Sequence, residues 1–170
     1  MHWDGTSWAI VPSPNPGNRL NIFWGIGTDG GGGVWAVGHY ADRGGPITAL
    51  FARWTGSAWE VVAPPGESNW TPTAVAGAAA NDVWAVGSEP TSARVAAHWD
   101  GSQWVTVPTP GPQKKEDNSH LVDVAALSGD EAWAVGLSDE FKKRGYEPLI
   151  VRWDGAAWRA ELSPSGQPSP

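Results

Sequence analysis

Five side chains in this sequence are suited to recognising a ligand and fall in segments that would share one side of the molecule: Trp70, Tyr40, Phe141, Tyr146 and Arg43. The rings of Trp70, Tyr40, Phe141 and Tyr146 offer flat apolar faces on which a sugar or a partner side chain can stack. For Trp70, in the segment Asn69-Trp70-Thr71-Pro72, the alternative is a ring that packs its own loop. Arg43 belongs to a set, Arg19, Arg43 and Arg94, that supplies one arginine per repeated unit on the same side. The carboxylate pair that glycoside hydrolysis needs, however, is not placed by any motif. The expectation is therefore binding without catalysis.

Other chemistries find less support. The chain has no cysteine, which excludes a disulfide framework, a Cys-based zinc site and a thiol nucleophile. His2, His39, His98 and His120 show no metal-ligand spacing; His2 and His98 hold the position that Arg53 and Arg152 fill in other units, so a role tied to the repeat is expected for them. Asp4, Asp100 and Asp154 sit in turns, where Asp bonds its own backbone, and one carboxylate per turn is too few oxygens for calcium. Gly30 to Gly33 joins two strands where a phosphate loop would enter a helix. No cofactor and no metal are expected. The net charge of −7 with mixed-sign loops argues against nucleic acid, and no apolar stretch reaches the length of a membrane span.

Whether the five candidates meet depends on the elements that carry them, and these repeat. Trp-Ala-Val-Gly occurs at residues 35–38, 84–87 and 133–136, at an equal interval of 49 residues. In phase with it runs a Trp pair around a Gly-containing polar turn: Trp3 and Trp8, Trp54 and Trp59, Trp99 and Trp104, Trp153 and Trp158. A period of this size falls in the range of solenoids and propellers. Within one unit an apolar run over 121–127, a turn, the Trp133 run, a long polar loop, the run 149–153, a tight turn and the run from Trp158 make four short strands. With 22 Gly and 15 Pro dispersed between Val, Ile, Trp and Ala runs, and no helical spacing, the class is all-β.

Three finer expectations follow. A two-residue loop such as Gly101-Ser102, with Gly at positive φ, sets the flanking Trp rings opposite each other; a four-residue loop is the competing form. Along 121–127, Val122, Val124 and Ala126 are expected on one face and Leu121, Ala125 and Leu127 on the other, with both faces covered by neighbouring sheets. The repeated Trp residues 35, 84, 133, 54, 59, 99, 104, 153 and 158 are expected to pack between units.

The segments 121–136 and 98–108 resemble bacterial β-propeller repeats of the form L-x-x-V-A-A-x-S-x-x-D-V-W-A-V-G followed by H-W-D-G-x-x-W-x-x-V-P-S-P, and more loosely the Asp-box propellers of the sialidase-repeat type. In an Asp-box one residue separates Asp from Gly, whereas Asp4-Gly5, Asp100-Gly101 and Asp154-Gly155 are adjacent here. The resemblance implies a β-propeller of four-stranded antiparallel blades: a half blade over 1–12, full blades over about 20–62, 71–108 and 120–162, and a Pro/Ser-rich tail or linker over 163–170.

Three and a half blades do not close a ring of at least four, so homo-oligomerisation or completion by the rest of a larger propeller is expected. One side of such a module carries the variable loops, with eight of the 11 basic residues and eight acids. The hairpin side carries Asp4, Asp29, Asp82, Asp100, Asp130, Glu131 and Asp154 with no base. The functional expectation is a binding or scaffold module that engages a carbohydrate or a protein through its variable loops, with a self-associating structural repeat and a degenerate glycosidase-like propeller as alternatives. Met1 is followed at once by the first repeat motif, so a secreted parent would carry its leader elsewhere; an extracellular or cell-surface setting is expected for that parent.

Overall fold

The structure, a computed structural model, describes residues 1–66, 69–90, 93–110, 119–138 and 147–161, and every regular element among them is a β-strand. β1 (His2–Trp3) and β2 (Trp8–Ala9) form a short hairpin. The first four-stranded sheet comprises β3 (Leu20–Thr28), β4 (Val34–Ala41), β5 (Ile47–Trp54) and β6 (Trp59–Val62). The second comprises β7 (Thr71–Ala79), β8 (Asp82–Ser88), β9 (Arg94–Trp99) and β10 (Trp104–Val107), and the third β11 (His120–Ser128), β12 (Glu131–Ser138), β13 (Glu147–Trp153) and β14 (Trp158–Glu161). Each sheet is an antiparallel meander in sequence order. β3 packs against β7, and β7 against β11, so the sheets succeed one another through their first strands.

The motif Trp-Ala-Val-Gly is a strand with two unlike faces. Side chains alternate along a strand, so Trp35 and Val37 of β4 face the second sheet, as Trp84 and Val86 of β8 face the third. The intervening alanines, Ala85 and Ala134, turn toward the preceding sheet, where their small size lets β-strands of two sheets approach. The closing glycine has a separate cause. Gly38, Gly87 and Gly136 pair with Phe23, Pro72 and Leu121, and in each case the next residue of the facing strand, Trp24, Thr73 or Val122, is an extra one expelled from the register. A β-carbon on any of these glycines would collide with a carbonyl oxygen just before that bulge, that of Ile22, Thr71 or His120. The glycine makes room for the bulge.

That bulge corrects one expectation. Val122 and Val124 do not share a covered face: Leu121 and Val124 are buried, whereas Val122 and Leu127 are exposed. Inserting one residue reverses the direction of every side chain after it relative to simple alternation. Nor are both faces of all sheets covered, because among the described residues the third sheet has a neighbouring sheet on one side only, and Val135 is 41% exposed.

Turn chemistry closes the outer hairpins. Gly5, Gly56, Gly101 and Gly155 have φ between 87° and 98°, which only glycine tolerates freely. The flanking indoles pair directly, Trp99 with Trp104 and Trp153 with Trp158. Asp100 N–H donates to the Gln103 carbonyl at 3.2 Å, but the Ser102 and Gln103 N–H groups donate to Asp100 Oδ1 at 2.8 and 2.9 Å. Gly101, at φ 98°, holds the positive-φ position that the two-residue loop assigns to glycine, and the Asp carboxylate ties the turn. Thr55 does the same work more weakly in the first sheet, its Oγ1 accepting from Ala58 N–H at 3.2 Å.

Candidate functional site

Two internal joints hold the three sheets together, and they are built alike. Trp35 of the first sheet meets Trp99 and Trp104 of the second at ring-centroid distances of 5.1 and 5.2 Å, the latter edge to face at 86°. Trp84 of the second sheet meets Trp153 and Trp158 of the third, both at 4.9 Å, again with one contact edge to face at 84°. Offset and perpendicular indoles are the favoured geometries, each pair contributing about 0.5–1.5 kcal/mol beyond the burial of its surface. Phe51 and Trp70 extend the first cluster, with Phe51 4.6 Å from Trp104 and 5.9 Å from Trp70. Thr73, the bulged residue of β7, joins the second and third sheets through its hydroxyl, which lies 3.1 Å from the Val86 carbonyl and 2.8 Å from that of Leu121.

Behind each Trp-Ala-Val-Gly indole lies a basic ring or guanidinium held by an acid. Arg53 stands 5.6 Å from the Trp35 ring and 3.7 Å from Asp29. His98 lies 4.5 Å from Trp84, with Nε2 2.7 Å from Asp82. Arg152 stands 5.4 Å from Trp133 and 3.2 Å from Glu131, which also accepts from the Trp133 Nε1–H at 3.2 Å. A guanidinium over an indole face is attracted by the ring quadrupole, and the acid fixes its position. The hairpin side is thus not free of bases: Arg53 and Arg152 neutralise Asp29 and Glu131, and Arg159 pairs with Asp154. The equivalence of His2, Arg53, His98 and Arg152 is legible in the sequence, but the acid across the sheet is not, because it shifts position between units: Asp29 in the turn before β4, Asp82 and Glu131 at the start of β8 and β12.

The turn carboxylates are held in their charged form. Asp100 is lowered to about 2, first by the Ser102 hydroxyl and then by the Gln103 and Ser102 N–H groups. Asp154 is also lowered to about 2, first by Arg159 and then by the Ala157 and Ala156 N–H groups. Asp4 is lowered by the Ser7 and Thr6 N–H groups. Elsewhere, burial pushes His39 below its ordinary range, so its neutral ring accepts at Nδ1 from the Trp24 indole N–H, 3.2 Å away, and meets the Thr71 hydroxyl at 3.3 Å. This polar chain ties the first sheet to the second.

Two outer faces carry only one side of such a joint among the described residues. Trp133 and Val135 stand on β12 where Trp84 and Val86 stand on β8, yet Val135 is 41% exposed against 0% for Val86. At the other end, Trp3 and Trp8 stack on each other at 5.7 Å but are 48% and 66% exposed. Trp54 and Trp59 form a third such pair, at 5.5 Å, beside a cavity of about 480 Å3 between the N-terminal hairpin and the first sheet.

The loop-side candidates fare differently. Trp70 is only 3% exposed; its ring belongs to the first aromatic joint and offers no free face to a sugar. The reason is its place one residue before β7, directly above Phe51. Tyr40, near the end of β4, is half-buried, and Arg43 is exposed on a turn braced to residue 18: Asn18 N–H donates to Asp42 Oδ1 and Arg43 N–H to Asn18 Oδ1, both at 2.9 Å. Of the arginines grouped with it, Arg19 is exposed and Arg94 buried. Phe141 and Tyr146 lie outside the described residues. Among the described residues no three His, Cys, Asp or Glu side chains gather as metal ligands, and no helix is long and apolar enough to cross a membrane.

No protein-family model matches the chain, and no curated protein matches it.

Proposed function

We propose that this chain is a non-catalytic scaffold module of the β-propeller type, three four-stranded blades and a half blade about a common axis, whose partner is another copy of itself engaged head to tail. In this arrangement the Trp3 and Trp8 pair of one copy seats on Trp133 and Val135 of the next. The observation that carries the reading is that each internal joint sets one Trp-Ala-Val-Gly indole against a hairpin Trp pair, while Trp133 at one end and Trp3 with Trp8 at the other are the complementary halves of such a joint. Covering an indole removes roughly 150–250 Å2 from water, and at about 25 cal/mol/Å2 this is the driving force for association. The loop side is left with Tyr40 and Arg43 among the described candidates, which is why the end faces and not the loops carry the proposal.

Sedimentation velocity over a concentration series tests it. The wild-type chain should associate, Trp8→Asp and Trp133→Asp should each reduce association sharply, and an equimolar mixture of the two variants should recover a discrete dimer, because each retains one intact end. A monodisperse wild-type monomer at every concentration sinks the proposal.

A further inference from the structure

We infer that the cleft between the N-terminal hairpin and the first sheet is a docking slot for a β-hairpin of this chain's own repeat type, equivalent to β7–β8, which enters with its Trp-Ala-Val-Gly indole toward Trp54 and Trp59. The inference rests on the propeller-type reading above but concerns a different surface from the end-to-end contact.

The first support is an unclaimed strand edge. His2 and Trp3 of β1 correspond to Arg53 and Trp54 of β5, His98 and Trp99 of β9, and Arg152 and Trp153 of β13. In the three complete sheets that strand is paired on both sides, and on its inner side the basic residue lies opposite the motif indole: Trp35 with Arg53, Trp84 with His98, Trp133 with Arg152. Among the described residues β1 pairs with β2 alone. Its other edge leaves backbone donors and acceptors open to an added strand.

The second support is the wall opposite. Trp99 with Trp104, and Trp153 with Trp158, each receive an indole from the preceding sheet. Trp54 and Trp59 contact each other, and in place of an indole the His2 ring leans on Trp54 at 5.3 Å. Around them opens the cavity of about 480 Å3, with Val11 and His2 on the hairpin side and Phe23, Ile26, Trp54 and Trp59 on the sheet side. The two strands that precede the equivalent hairpin in each complete sheet have no counterpart beside β1 among the described residues. A hairpin two strands wide, at about 4.8 Å per strand, supplies both the missing pairing for β1 and the missing indole for Trp54 and Trp59. The occupant is thus a hairpin of the same repeat, identified by the register that the other three units share.

The test is titration of the isotope-labelled full chain with a synthetic peptide of residues 69–90, followed by NMR. Saturable binding is expected, with the indole resonances of Trp54 and Trp59 and the amides around His2 among those that move. The peptide carrying Trp84→Ala should bind roughly tenfold more weakly or worse, a comparison that leaves the fold of the chain untouched; Trp59→Ala in the chain should do the same, and Glu161→Gln, exposed at the end of β14, should not. Absence of binding, or shifts confined to the Trp133 face, overturns the slot. A chain that stays monomeric in sedimentation yet binds the peptide at Trp54 and Trp59 keeps the slot and discards the end-to-end contact; a chain that self-associates but ignores the peptide does the reverse.

Discussion

The joint between the second and third sheets and the outward face of the third sheet are made from the same residues in the same register. In the first, Trp84 and Val86 are covered by Trp153 and Trp158 and are 1% and 0% exposed. In the second, Trp133 and Val135 stand on the equivalent strand, with Arg152 over the indole as His98 is at Trp84, yet Trp133 is only half-buried, Val135 is 41% exposed, and no further sheet among the described residues lies against them. Burial here belongs to the pair of sheets and not to the strand. What each sheet owns by itself is its local structure: the bulge, the glycine opposite and the turn tied by an Asp or Thr side chain recur whether or not anything lies alongside.

The sharpest way to break this comparison is to truncate the two indoles. Trp84→Ala should cost about 3–5 kcal/mol, as for large core aromatics generally, whereas Trp133→Ala should cost about 1 kcal/mol or less in the monomeric chain, within the range of ordinary partly exposed sites. Urea unfolding at low concentration measures both; equal losses would mean that the third sheet's open face is covered in solution. Glycine substitutions sharpen the contrast from the other side. Gly87→Ala and Gly136→Ala should destabilise alike, by about 1–3 kcal/mol or more, because each added β-carbon meets a carbonyl of its own sheet, that of Thr71 or His120. A mild Gly136→Ala beside a severe Gly87→Ala would show that the bulge depends on a neighbouring sheet after all.

The smallest effect concerns the turns. Asp100 and Asp154 are lowered to about 2 from 3.8, so the stability they contribute is complete above the unfolded value and is lost as pH falls from about 4 toward 2. Asp100→Ala should lower Tm slightly at neutral pH and flatten its fall over that acid window, while Asp100→Asn, which keeps the accepting oxygen, should lose less at neutral pH. Identical acid profiles for wild type and Asp100→Ala would remove the carboxylate from the account of the turn.

Much of the architecture could be read before any coordinates. The all-β class, the antiparallel four-stranded sheets and the glycine at positive φ in each outer turn follow from motifs repeated within one chain, since repetition separates what a unit requires from what one loop happens to hold. The bulge could not be read, because an inserted residue leaves no mark on composition; its one trace is a glycine at the end of all three Trp-Ala-Val motifs, which looks like a strand end. The partner acids were hidden for a different reason: Asp29, Asp82 and Glu131 reach the equivalent position, filled by Arg53, His98 or Arg152, from different places along the chain. Trp70 misleads because a ring beside Asn, Thr and Pro has the local signature of an exposed loop, while its burial at 3% is decided by Phe51 from another strand.

The bulge opposite each motif glycine also governs shape. An extra residue on one strand of a pair bends that strand and tightens its twist, and here Trp24, Thr73 and Val122 introduce the same distortion at the same height in the first strand of every sheet, the strand through which neighbours touch. The bend of the first strand is then a local property of each four-stranded sheet, marked in the sequence by the glycine opposite the bulge, Gly38, Gly87 or Gly136.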